Sequence, residues 1–94
     1  MKKASPEKKA YVKKLCEEGI VKANEILSHL KEGEFYQELS RGALINIKNE
    51  LKEMSLILDK KQYDPAYPRF ILDYPKTDLI DYYVNIWYEY YKKT

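Results

Sequence analysis

Three prolines, Pro65, Pro68 and Pro75, fall within eleven positions and divide the chain. Proline lacks an N–H and its ring clashes with the preceding turn, so no long helix crosses residues 62–76. A disordered linker would be polar. This segment instead carries Tyr63, Tyr67, Phe70, Ile71, Leu72 and Tyr74. Side chains of that size need cover, which predicts an ordered loop packed over the domain, with a short helical turn at Phe70 to Leu72.

On both sides of the loop, apolar residues recur at helical spacing. Ser5-Pro6-Glu7 reads as a helix start: a serine oxygen to cap free N–H groups, a proline whose missing N–H costs nothing there, and an acid near the positive helix end. Val12, Leu15, Cys16, Ile20, Ala23, Ile26, Leu27 and Leu30 then form one stripe. Gly33 offers a left-handed stop, which predicts a first helix over about 6–32. Gly19 sits inside the stripe, where glycine costs about 1 kcal/mol against alanine, so another element is expected to cross closely there.

A second stripe runs through Tyr36, Leu44, Ile47, Leu51, Met54 and Leu58 and predicts a helix over about 34–60. Ser40 can cap a fresh start and Gly42 weakens a helix interior, so a break at Ser40 to Gly42 is the alternative. Thr77-Asp78 opens the last helix, expected over about 78–92, with Asp78 and Asp81 in its first turn and Lys92 and Lys93 in its last.

A chain of 94 residues fits one domain, 1–94, because domains usually run from about 50 to 250 residues. The expected class is all-α: a small antiparallel three-helix bundle, or four helices if the second one breaks, with the Pro/Tyr-rich loop before the last helix.

Seventeen Lys plus Arg against fifteen Asp plus Glu leave a formal charge of +2, too small to require a polyanionic partner. Only Arg41 and Arg69 are arginine, and Lys, Ile and Tyr codons are AT-rich, which suggests a small bacterial or phage protein. The single Cys16 closes no intrachain disulfide, and Met1-Lys2-Lys3 is followed by charge rather than by an apolar stretch. A cytoplasmic location is therefore expected. No apolar run approaches the roughly 20 residues of a membrane span.

Chemistry is sparse. His29 has no evident nucleophile or orienting carboxylate, and Cys16 lies in the apolar stripe, where a thiol behaves as a small hydrophobe. One cysteine and one histidine do not make a zinc site. Asp78, Asp81, Asn85 and Glu89 follow one strip of the last helix and read as its solvated edge. No catalytic residue, metal or cofactor is expected, and the chain is not expected to be an enzyme.

Binding is the remaining option. Eight of the ten tyrosines follow residue 62, and tyrosine is favoured at protein interfaces for its large area and polar tip. Around Tyr83 the last helix has more apolar surface than one core requires, with Ile80, Val84, Tyr88 and Tyr91 on one flank and Tyr82 on the other. These five are the candidate contacts for a protein partner or a second copy, in the manner of immunity proteins, antitoxins, inhibitors or adaptors. Either the proline loop covers the surplus or it is an interaction surface. The alternative function is a nucleic-acid-associated regulator using Lys8, Lys9, Lys13 and Lys14, on a first helix that has no arginine to read bases.

Overall fold

The structure, a computed structural model, describes residues 5–94. Its elements are α1 (Pro6–His29), β1 (Phe35–Tyr36), β2 (Leu39–Ser40), α2 (Arg41–Ile57), α3 (Tyr67–Ile71) and α4 (Asp78–Lys93). The chain is mostly helical, a small bundle with one two-stranded hairpin. Lys2 and Lys3 of the basic N-terminal region lie outside the described residues.

The helix starts are built as their sequences imply. The side-chain oxygens of Ser5, Ser40 and Thr77 accept from the N–H groups of Lys8, Ala43 and Ile80 at 3.2, 3.1 and 3.1 Å. Pro6 opens α1, where its lack of an N–H is harmless.

The first helix ends three residues short of the expected stop, at His29, with Leu30 already extended. Gly33 takes a positive φ of 84° but serves the turn that follows. Arg41 explains the early end: its Nη1 donates to the Leu27 and Leu30 carbonyls at 2.9 and 2.7 Å. A guanidinium from the next helix thus satisfies carbonyls that a glycine cap usually serves.

Residues 34–40, expected to be helical, form the hairpin, with Phe35 paired to Ser40 and Tyr36 to Leu39. Its turn residues, Gln37 and Glu38, have φ of 47° and 73°, the double positive φ whose twist suits a two-residue hairpin. Neither residue is the glycine or asparagine that favours such a turn. Tertiary bonds hold it: the Thr77 hydroxyl donates to the Gln37 carbonyl at 3.1 Å, and the Leu79 N–H donates to Gln37 Oε1 at 2.9 Å. The hairpin tip is thereby a second cap on α4. The break at Ser40 is real, and the chain before it is a hairpin rather than a helix.

Helix directions follow from named contacts. Arg41 meets the end of α1, and a Cβ on Gly19 would stand 2.9 Å from Leu51 Cδ1, so α2 runs antiparallel to α1. Lys93 lies over the Tyr11 ring, and Lys22 over that of Tyr82, so α4 is also antiparallel to α1 and hence parallel to α2. The hairpin and the long return through α3 are what permit this arrangement of the bundle. The same Gly19 Cβ would lie 2.8 Å from Ile86 Cδ1. Glycine there lets three helices meet.

The loop packs over its middle, whereas Leu72 and Tyr74, expected to need cover, are exposed. Glu50 of α2 accepts from the N–H groups of Ala66 and Tyr67 at 2.6 and 2.7 Å and from the Tyr63 hydroxyl at 3.3 Å. Its carboxylate thus anchors the start of α3, which lies slightly earlier than the expected Phe70 to Leu72. Tyr67, Pro68 and Ile71 are buried.

Three tyrosine hydroxyls tie the layers together. Tyr83 donates to the Gly19 carbonyl at 3.0 Å, Tyr67 to the Tyr83 carbonyl at 2.8 Å, and Tyr90 to the Tyr63 carbonyl at 2.7 Å. Among the described residues no buried side-chain nitrogen or oxygen lacks a hydrogen-bond partner, so these polar tips carry no desolvation penalty.

Candidate interaction surface

Residues 79, 83, 86 and 90 recur at three- and four-residue steps, which puts Leu79, Tyr83, Ile86 and Tyr90 on the buried face of α4. Ile80 is buried with them, 3% exposed, in one cluster with Tyr67 and Ile71. That removes Ile80 from the candidate contacts, because it belongs to the core and not to the surface. Further along, the same flank opens. Val84 and Trp87 are half-buried, while Tyr88 and Tyr91 are 54% and 53% exposed.

These residues form one patch. The Trp87 ring lies 5.8 Å from that of Tyr88, edge-on, and 5.9 Å from that of Tyr91. Tyr82 is separate. It is half-buried on the α1 side, against Tyr83 and under Lys22, where it helps line an open groove of about 350 Å³ with Gln37 and Asp78. Burial raises the pKa of its phenol. The five sequence candidates thus divide into Val84, Tyr88 and Tyr91 together, Tyr82 apart, and Ile80 inside.

Lysines border the patch, an arrangement not anticipated from the sequence. Lys60 Nζ stands 4.7 Å from the Tyr91 ring centre and donates to the Tyr91 carbonyl at 2.7 Å. Lys92 lies 5.6 Å from the Tyr88 ring centre, and Lys93 lies 4.4 Å from that of Tyr11 across on α1. The i to i+4 step from Tyr88 to Lys92 was readable as a helical neighbour pair. The contacts of Lys60 and Tyr11 depend on the return of the chain and were not. Glu89 binds Lys93 at 2.6 Å and Lys92 at 3.4 Å. The hydrogen bond from Lys93 holds the Glu89 carboxyl below its usual range.

The alternative basic face is less organised. Lys8, Lys13 and Lys14 are exposed and Lys9 is half-buried, and Lys14 shares its surroundings with Glu17 and Glu18. Both arginines are engaged elsewhere, Arg41 on α1 and Arg69 with Asp64 at 3.1 Å.

Cys16 is fully buried, and burial pushes its thiol up to about 12, the opposite of an activated nucleophile. His29 is exposed at the end of α1. Among the described residues no three His, Cys, Asp or Glu side chains group as metal ligands, and no helix is long and apolar enough to cross a membrane. The fold and surface define a small helical bundle with an aromatic, lysine-bordered patch at one end. No protein-family model, curated protein or solved structure matches the chain.

Proposed function

We propose that this chain is a non-enzymatic interaction module of the cytoplasm, acting as immunity proteins, antitoxins, inhibitors or adaptors do, by occupying a protein surface. The docking surface is the outer flank of α4: Val84, Trp87, Tyr88 and Tyr91. The observation that carries this reading is the exposure of Tyr88 and Tyr91 around a half-buried Trp87. Contiguous exposed aromatic surface is costly in water and marks binding sites, and Tyr and Trp are the residues that dominate interface energies.

A photo-crosslinking residue placed at position 88 or 91, in a lysate of the protein's own host, tests the reading. Adducts of defined mass are expected from both positions and not from position 21, where Val21 is 57% exposed on α1. The same adduct pattern from all three positions, or none, would refute it.

A further inference from the structure

The bundle carries opposite charge at its two ends, and each charge surrounds exposed aromatic rings. At one end, the last turn of α4 and the start of the loop place Lys60, Lys92 and Lys93 around Tyr88, Tyr91 and Tyr11. The acids nearby are engaged: Glu89 is shared by Lys92 and Lys93, and Asp59 accepts from the Lys61 N–H and the Gln62 side-chain amide. At the other end, the hairpin displays Phe35, 67% exposed, and Tyr36, 45% exposed. Next to these rings in the chain or at the capped start of α4 stand the exposed carboxylates of Glu32, Glu34, Glu38 and Asp78, against Lys31, Lys76 and the half-buried Arg41. Glu34 accepts from the Lys31 N–H at 2.7 Å. The hairpin tip caps the first turn of α4 through Gln37, so the length of α4, 16 residues or about 24 Å at 1.5 Å per residue, separates the two ends.

From this complementarity we infer that the occupant of the basic aromatic end is the acidic hairpin of a second copy, giving a head-to-tail contact. The inference rests on the outer flank of α4 being a docking surface and names what docks there. An exposed ammonium over a ring holds by only about 0.5–1 kcal/mol, so an arriving carboxylate can draw Lys92 from the Tyr88 ring, while Lys60 keeps its bond to the Tyr91 carbonyl and has two further donors to offer. Phe35 then meets the rings of Tyr88 and Tyr91 as the glutamates meet Lys60 and Lys92. Such a contact is heterologous: each copy keeps one free end, and association continues into chains or a ring. Nucleic acid fits the same end less well. The cations over these rings are all lysines, which meet a phosphate as point charges and lack the planar fork that stacks on bases.

Sedimentation velocity on the full chain at rising concentration tests the inference. Average mass is expected to rise with concentration at about 50 mM salt and to fall back toward monomer at about 500 mM, where charges are screened within a few ångströms. Two charge-neutralised variants sharpen the test: Glu32→Gln with Glu38→Gln spoils the acidic end, and Lys60→Gln with Lys92→Gln spoils the basic end. Each alone should remain monomeric. Mixed, they should form a one-to-one dimer that grows no further, because one variant supplies an intact basic end and the other an intact hairpin. If Lys60→Gln lowers the melting temperature through loss of its bond to the Tyr91 carbonyl, Tyr91→Asn with Lys92→Gln replaces it. Monomer at every concentration and salt, or a mixture that stays monomeric, would overturn the inference, as would saturable binding of single-stranded oligothymidylate at the same end in preference to self-association. Crosslinks from positions 88 and 91 to a different protein, with no self-association, would sink the inference and leave the docking surface standing. Loss of those crosslinks altogether would remove both.

Discussion

Tyr83 and Tyr88 belong to the same helix and meet opposite surroundings. Tyr83 is fully buried, its ring against the bare backbone of Gly19 and its hydroxyl donating to the Gly19 carbonyl. Tyr88 is half exposed, touching Trp87 and a lysine. One residue type therefore serves as a core strut on one face and as surface on another. What separates them is whether a backbone carbonyl from another element lies within reach of the hydroxyl. Tyr67 and Tyr90 follow Tyr83, each bonded to a carbonyl of another segment. Tyr91 follows Tyr88, its ring beneath Lys60.

Alkaline pH tests the contrast most severely. Burial raises the phenols of Tyr67 and Tyr83, and pushes those of Tyr63 and Tyr90 up to about 12, from an ordinary 10.0. A group whose folded pKa is raised supports the fold fully below its unfolded pKa and loses that support as pH climbs through the folded one. Denaturant-measured stability should therefore decline from about pH 10 and collapse near pH 12, with a cooperative jump in tyrosinate absorbance. A smooth titration of all ten tyrosines on a chain still folded would show that the core tyrosines are not sealed.

Tyr83→Ala comes next. It deletes a buried aromatic ring and its bond to α1, and about 3–5 kcal/mol of unfolding free energy should go with it. Tyr83→Phe, which removes only the hydroxyl, should cost about 1–2 kcal/mol by leaving the bond unmade.

Glu50→Ala probes the anchor of α3 rather than the flank of α4. Without its carboxylate the Ala66 and Tyr67 N–H groups lose a charged acceptor, with an expected cost of about 2 kcal/mol. Amide exchange at residues 63–71 should accelerate before that of α1. Uniform acceleration across the chain would mean that the loop unfolds only with the core.

Tyr88→Asp should have the smallest effect on folding, within about 0.5 kcal/mol, as for a surface site. The melting curve checks it. A loss comparable to that of Tyr83→Ala would place Tyr88 in the core and end the case for the outer flank of α4 as a docking site.

Local chemistry was legible in the chain itself. Ser5, Ser40 and Thr77 announce helix starts because an N-cap needs only a side-chain oxygen beside the first free N–H groups. Gly19 announced a close crossing, because a glycine in an apolar helical stripe has little other reason to be there. The crowded prolines excluded a helix, and their aromatic neighbours required cover. These inferences need only neighbours within a turn or two.

Tertiary structure decided the rest. Gln37 and Glu38 resemble helix residues by pattern, and they turn because Thr77 and Leu79, far along the chain, bond to Gln37. Arg41 looks like an ordinary surface cation until the end of α1 lies beneath it. Ile80 and Tyr88 were both candidates on one flank, at about 60° and about 140° from Tyr83 at 100° per residue. In the folded chain Ile80 joins the core and Tyr88 remains exposed. Helical periodicity gives the direction in which a side chain leaves its own helix, whereas burial depends on what the returning chain places opposite it.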